Sequence, residues 1–242
     1  MAGRISYLGG IVKDGLILDL DAGKLDSYNR VGTTWTDLSG NRNNGTLTNF
    51  GSQTIWNSNN GGSIILDGVN DYVNLGTLPN LNGLTNFTAE CWFYNYSTSA
   101  SYQSVISQFN GTNGWSIQTS TNTNYKIIVS MGTSTAFGGV NDTPTNSWIH
   151  VALLYDGNLV GNTNRLKMSI NGVIRSFDNY NGGTVPSTLP NVTSVNCNIG
   201  ALLPTFGRYF NGLIPMVRLY NKTLSSSEVL QNYNATKGRY NL

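Results

Sequence analysis

Two glutamates (Glu90 and Glu228), a single histidine (His150) and a group of aspartates near the start are the side chains best suited to moving protons or holding cations. Retaining glycoside hydrolysis needs two carboxyls about 5 Å apart, one as acid/base and one as nucleophile. Asp19 and Asp21, spaced i and i+2, share one side of an extended strand, but no matching acid/base accompanies them. Glu228 follows Ser225 at the spacing of a helix capping box, which is reason enough for its presence. His150 sits between Trp148 and Val151, and no Gly-x-Ser-x-Gly elbow supplies a nucleophile for it. A structural histidine is the reading, and the chain is expected not to be an enzyme.

Cation holding is the next chemistry. Calcium takes roughly six to eight oxygens, mostly carboxylates and backbone carbonyls. Asp19, Asp21, Asp37, Asp67 and Asp71 crowd the first third, and Asp67-Gly68-Val69-Asn70-Asp71 has the form of a loop donor. The same residues serve equally as an Asx turn and a strand cap. Sugar binding would use aromatic faces for C–H surfaces and amides for hydroxyls. Its candidates are the loop-placed aromatics Tyr102, Trp115, Tyr180, Phe206 and Tyr209, beside Asn110, Asn113 and Asn181. Trp35, Trp56, Trp92 and Trp148 are expected in the core.

Composition narrows the classes. Charged residues make up 11% of the 242 positions and the net charge is +2, so no strong field draws a phosphate backbone. With 39% hydrophobic residues and 11% aromatics a full core is affordable, and the polarity is carried by amides and hydroxyls. No run of 18 apolar residues predicts a membrane helix, and Met1–Asp14 lacks the apolar stretch of a signal peptide. Asn-x-Ser/Thr sequons such as Asn44-Gly45-Thr46 therefore carry little weight. Cys91 and Cys197 read as buried free thiols, a disulfide pair being the alternative.

The elements that must position these groups are strands. Turn dipeptides recur from Asp14-Gly15 through Asn171-Gly172 to Asn211-Gly212, with short runs of strand chemistry between them. In one of these, Phe87, Ala89, Cys91 and Phe93 alternate with Thr88, Glu90, Trp92 and Tyr94. The pattern predicts an all-β fold, a two-sheet antiparallel jelly-roll sandwich, with one short C-terminal helix. That helix is capped by Ser225 and Glu228 and stapled by Leu224 and Val229, with Val229, Leu230 and Tyr233 on its apolar face. It is expected to cross a sandwich edge. Thr119–Asn124, Asn158–Asn164 and Asn179–Thr184 read as exposed loops. Residues 1–14 form an N-terminal arm, and residues 15–242 one sandwich domain.

Several segments in order resemble the laminin G-like domains of the concanavalin A-like superfamily. They include the stretch from Gly62 to Val73, Phe87-Thr88-Ala89-Glu90-Cys91-Trp92, and Trp148-Ile149-His150-Val151-Ala152 with Tyr155-Asp156-Gly157. Lys167–Gly172, Ile199-Gly200 and Phe210–Ser225 complete the series. The flanks 15–23 and 33–41 and the tail 228–240 are similar to such domains in bacteriophage structural proteins. The resemblance implies a virion decoration or appendage protein at the virion surface, made in the host cytoplasm. It further implies docking on other coat proteins, carbohydrate binding, or association with a second copy of the chain. A glycan-binding adhesin unrelated to virions is the alternative, and last a glycoside hydrolase, because the superfamily includes laminarinase-like enzymes. Those enzymes carry Glu-x-Asp-x-x-Glu on one strand, which is absent here. Relatives commonly carry Asp-Glu where this chain has Pro215-Met216; if an acidic side chain there helps hold calcium in them, that contribution is missing here.

Overall fold

Strand chemistry separated by turn residues folds as the alternation predicts. The computed structural model describes residues 10–53, 55–78, 81–96, 102–122, 125–133, 136–141, 146–192, 194–204 and 206–242. The first strands are β1 (Leu16–Asp21), β2 (Thr34–Trp35), β3 (Gly45–Thr48), β4 (Trp56–Asn57), β5 (Ser63–Asp67), β6 (Tyr72–Asn74), β7 (Asn86–Asn95) and β8 (Gln103–Phe109). They are followed by β9 (Asn113–Asn122), β10 (Tyr125–Thr133), β11 (Ala136–Val140), β12 (Trp148–Asp156), β13 (Leu166–Ile170) and β14 (Val173–Arg175). β15 (Asn179–Gly182), β16 (Asn198–Ile199) and β17 (Asn211–Tyr220) complete the set. Short helix α1 (Asn162–Arg165) and the C-terminal helix α2 (Ser226–Thr236) join them.

The strands form two antiparallel sheets. One runs β14-β13-β12-β7-β17-β5-β4, with β1 also pairing β17, and the other runs β15-β11-β10-β9-β8-β16-β6-β3-β2. β17 changes partner part-way: Asn211–Ile214 pair with β5, and Met216–Tyr220 with β1. Pro215, which has no N–H to give a ladder, falls in that gap, and its carbonyl accepts from the Ala22 N–H at 2.8 Å.

Between the sheets lies the main core. Phe87, Ala89, Cys91 and Phe93 of β7 enter it together with Val151 and Leu153 of β12, Trp115 and Ile117 of β9, and Trp35. Each large side chain wholly buried there contributes roughly 1.5–3 kcal/mol. Cys91 and Cys197 are buried and free, and burial pushes both thiols well above their usual range, leaving them inert. Trp56 and Trp148, expected inside, are half-buried at the periphery. There Trp56 donates to the Ala22 carbonyl at 2.9 Å, and Trp148 lies 4.6 Å from the Tyr240 ring.

Three polar stretches depart from the loop reading. Asn179–Gly182 pairs with β11 as an edge strand, Thr119–Asn122 is the end of β9, and Asn162–Arg165 is a turn of helix. Backbone pairing needs no apolar side chain, so amide-rich segments at a sheet margin join the ladder without showing it in their pattern. The Asn171-Gly172 turn behaves as expected. Both residues are left-handed (φ 50° and 80°), as a two-residue hairpin between β13 and β14 requires. A Cβ on Gly172 would also come within 2.9 Å of Tyr233 on α2.

Helix α2 carries the anticipated capping box at Ser225 and Glu228, and Leu224 and Val229 meet in one cluster. It lies on the outer face of the first sheet and does not cross an edge. Trp92 of β7 donates to Thr236 at 2.9 Å, and its ring stacks on Tyr233. The buried face is Val229, Asn232 and Thr236, while Leu230 is 40% exposed. Two polar residues sit on that face because of what lies beneath it.

Beneath the helix is a buried charge network. Arg218 of β17 stands between Asp19 of β1 and Glu90 of β7, its direct cross-strand neighbours. Its Nε donates to Asp19 Oδ1 at 2.8 Å and its Nη1 to Glu90 Oε1 at 3.1 Å. Asn232 of α2 donates to Glu90 Oε2 at 3.0 Å and to the Tyr220 hydroxyl at 2.9 Å. His150 Nε2 lies 3.7 Å from Glu90 Oε2, an ion-pair distance and too long for a hydrogen bond.

The segment ahead of β1 is tied to this layer. The Val12 N–H donates to Asn232 Oδ1 at 2.7 Å, the Tyr220 hydroxyl donates to the Val12 carbonyl at 3.2 Å, and Val12 is buried beside Leu224 and Val229. A chain starting at Gly10 is therefore expected to be about 2–3 kcal/mol more stable than one starting at Gly15, from one buried valine and two hydrogen bonds. Thermal unfolding checks this, and coincident midpoints would mean that residues 10–14 hold nothing.

Candidate functional site

Cross-strand register decides what reaches the outer face of the second sheet. Ser107 of β8 lies opposite Ser116 of β9, which lies opposite Ser130 of β10; Ser104, Gln118 and Ile128 form the next row. With Trp115 and Ile117 turned into the core, alternation sends Ser116 and Gln118 outward. Residues 200–204 and 206–210 fold back over this face, where Ser107 Oγ donates to the Ala201 carbonyl at 2.8 Å. Leu202 and Gly207 then bridge antiparallel, with Phe206 and Arg208 on either side of Gly207.

Loop and sheet enclose a cleft of about 130 Å³. Its floor is Ser116, Gln118, Ile128 and Ser130, and its walls include Tyr102, Phe109, Phe137, Phe206 and Arg208. The polar groups form one chain. Arg208 Nη1 donates to Gln118 Oε1 at 2.6 Å, Gln118 Nε2 donates to Ser116 Oγ at 2.6 Å, and Ser116 and Ser130 share a hydrogen bond of 2.7 Å. The Arg208 guanidinium is 4.4 Å from the centre of the Phe206 ring and 4.9 Å from that of Tyr102. Burial pushes its pKa down, with Tyr102 opposing. Such a mix of exposed aromatic edge, hydroxyls, amide and guanidinium can hold a small polar ring, but it contains no carboxylate among its described lining residues.

A family model described as the concanavalin A-like lectin/glucanases superfamily matches residues 67–230, more than half of the chain. The chain belongs to this superfamily. Among solved structures, this superfamily member is similar to domain 4 of AbnA, a GH43 extracellular arabinanase from Geobacillus stearothermophilus solved in complex with arabinotriose. The identity is 18%, the TM-score 0.66, and the match covers 90% of this chain and 98% of that one. A Trypanosoma rangeli sialidase in complex with sialic acid matches at 13% identity and TM-score 0.62, over 93% of this chain and 33% of that one. The botulinum neurotoxin type G receptor binding domain matches at 16% identity and TM-score 0.56, over 91% and 51%. At such identities the likeness is one of fold. No curated protein sequence matches significantly.

Of the residues marked from sequence as sugar-binding, Tyr102 and Phe206 line the cleft. Trp115 does not: it is wholly buried under the sheet, its ring 4.8 Å from Phe87 in an edge-to-face contact. It follows a turn dipeptide, Asn113-Gly114, that in fact opens a strand, so the loop placement was mistaken. Asn110 spends its carboxamide on its own turn, accepting from the Thr112 and Asn113 N–H groups, and Asn113 begins β9. Tyr180 belongs to β15, stacks on Phe177 and donates to the Gly183 carbonyl. Asn181 is exposed on the same strand, and Tyr209 is half-buried beside Gly207. Arg208, Gln118, Ser116 and Ser130 went unmarked. The alternation of Trp115-Ser116-Ile117-Gln118 held a signal for two of them, whereas an arginine in a loop held none.

The aspartates are committed elsewhere. Asp19 pairs with Arg218, and Asp21 accepts from Arg239 at 2.8 and 3.0 Å. Asp37 accepts from the N–H groups of Asp19, Ser39 and Asn43. Asp67 accepts from the Val69 N–H at 2.8 Å, as an Asx turn does. Asp71 is buried with Oδ1 unpartnered; burial first, then the charge of Asp67, raises its pKa to about 6. Among the described residues no three His, Cys, Asp or Glu side chains gather as a metal would require. Two carboxylates fall short of a calcium shell, so the five aspartates do not fit one shared ion.

Proposed function

We propose that the chain is a non-enzymatic, lectin-like sandwich that holds one sugar residue in the cleft beside Phe206 and Arg208. The observation that carries this is the joined set of Phe206, Arg208, Gln118 and Ser116 on an otherwise pleated sheet face. Aromatic surface with linked hydrogen-bonding groups meets both sides of a sugar, its C–H face and its hydroxyls. The small volume suits a terminal residue and not a polymer threaded lengthwise. The arabinanase domain, seen with arabinotriose, gives the fold a precedent for sugar contact.

Supporting the absence of catalysis, Glu90 is locked to Arg218 under α2, and Glu228 caps the helix while pairing with Lys222 at 2.9 Å. His150 is buried, with neither ring nitrogen hydrogen-bonded and Glu90 at ion-pair distance. A hydrolase of this fold would need two carboxyls facing one bound sugar. The similarity of segments 15–23, 33–41 and 228–240 to bacteriophage structural proteins supports a place at the virion surface, as a decoration or appendage docked on coat subunits.

Phe206 is 47% exposed, so Phe206→Ala leaves stability nearly unchanged and weakens glycan binding by about tenfold or more, the worth of a lost stacking surface. A glycan array followed by calorimetry on the strongest hit measures this. Full binding by Phe206→Ala would place the sugar elsewhere, and release of reducing sugar from the hit would make the protein an enzyme.

A further inference from the structure

Two sheltered arginines of the chain are matched with acids. Arg218 has Asp19 and Glu90, and Arg239 has Asp21. Arg165, half-buried and without an acid, donates instead to the Leu159 and Val185 carbonyls. Arg208 is half-buried too and has neither a carboxylate within ion-pair distance nor a backbone carbonyl partner among the described residues. Its one side-chain hydrogen bond there is from Nη1 to Gln118, so Nε and Nη2 keep free donors. The guanidinium carbon lies over the Phe206 and Tyr102 rings, 4.4 and 4.9 Å from their centres, and the edge bearing Nε and Nη2 has no hydrogen-bond partner among the described residues. That edge is the fork that accepts a carboxylate through two parallel N–H···O bonds. Arg208 is left-handed at φ 43°, a conformation a residue with a Cβ seldom adopts, and Gly207 before it is left-handed too.

We propose that the cleft selects an acidic sugar, its carboxylate held by Arg208 and its ring packed against Phe206. This rests on the sugar-binding reading above and adds the class of ligand. A neutral sugar would leave a desolvated cation uncompensated, whereas a uronic or sialic acid supplies the missing charge.

The test uses matched pairs of uronic-acid- and sialic-acid-terminated oligosaccharides and their methyl esters, which keep the shape and remove the charge. Titrated into the full chain, the best acid form should bind about tenfold tighter than its ester, the worth of a charge-assisted hydrogen bond. Added salt should narrow that gap. Arg208→Gln should erase the preference while leaving the weak ester binding, and Arg208→Lys should fall between. Equal binding of acid and ester, or a preference surviving in Arg208→Gln, would overturn the acidic class and leave sugar binding standing. No binding of any neutral or acidic sugar would overturn both.

Discussion

Replacing Arg218 with methionine is expected to cost about 3–5 kcal/mol near neutral pH, with the deficit shrinking on acidification. The guanidinium is wholly buried between Asp19 and Glu90, so its removal strands two carboxylates away from water. Burial by itself raises the Glu90 carboxyl; His150, Arg218 and Asn232 outweigh it and hold the pKa below the usual range. In the native chain this ionisation stabilises the fold above the unfolded pKa of about 4.3 and is lost as pH falls through the lower folded value. Without Arg218 one of the charges that lower it is gone, so the folded pKa rises and the stability that ionisation supplies shrinks. The two proteins should therefore differ most near neutrality and least in acid, below the lowered folded value of the native chain. Denaturant titration at a series of pH values reads this directly. A loss below about 1 kcal/mol, or a deficit that widens in acid, would show that the network carries no such energy. Changing the set together, as Asp19→Asn, Glu90→Gln and Arg218→Met, should recover much of the loss, because no charge is then left stranded.

Trp115→Ala is expected to destabilise the fold by about 3–5 kcal/mol, the range for a large aromatic removed from a closed core. The indole is fully buried against Phe87, and no collapse of a rigid two-sheet interior refills its space. Any sugar binding would vanish with the fold and say nothing about contact. Trp115→Phe separates the two effects: it keeps a ring and discards an indole N–H that has no partner, so it should cost far less and preserve binding. If instead Trp115→Ala unfolds like the native chain and loses affinity alone, the residue touches ligand and the described register is wrong.

The pair of cases shows where residue patterns suffice. Alternation in β7 identifies Cys91 and Phe93 as interior, but for Trp115 the adjoining Asn-Gly dipeptide suggested a turn, and pairing with β8 and β10 overrode it. Local chemistry told a strand from a loop where side chains were apolar. It could not do so at β11, β15 or β16, where partners across the sheet supply the stabilisation. The helix was legible to its cap, because Ser225 and Glu228 act within three residues of each other. Its docking face was not: Asn232 and Thr236 point inward because Glu90 and Trp92 wait there with groups to be satisfied.

From the amino-acid order alone came the all-β class, the sandwich, the capped helix and the family, since each follows from contacts near in sequence or from a recurring order of motifs; that Cys91 and Cys197 stay apart as free thiols was decided by the fold. Tertiary structure decided that Asp19, Glu90 and Arg218 neutralise one another across residues nearly 200 apart, that the five aspartates do not converge, and that Gln118 and Arg208 meet over a sheet. The physical reason is the same for all three. Charge and hydrogen-bond energies depend on distance in space, and strand register sets that distance without leaving a mark in the local pattern.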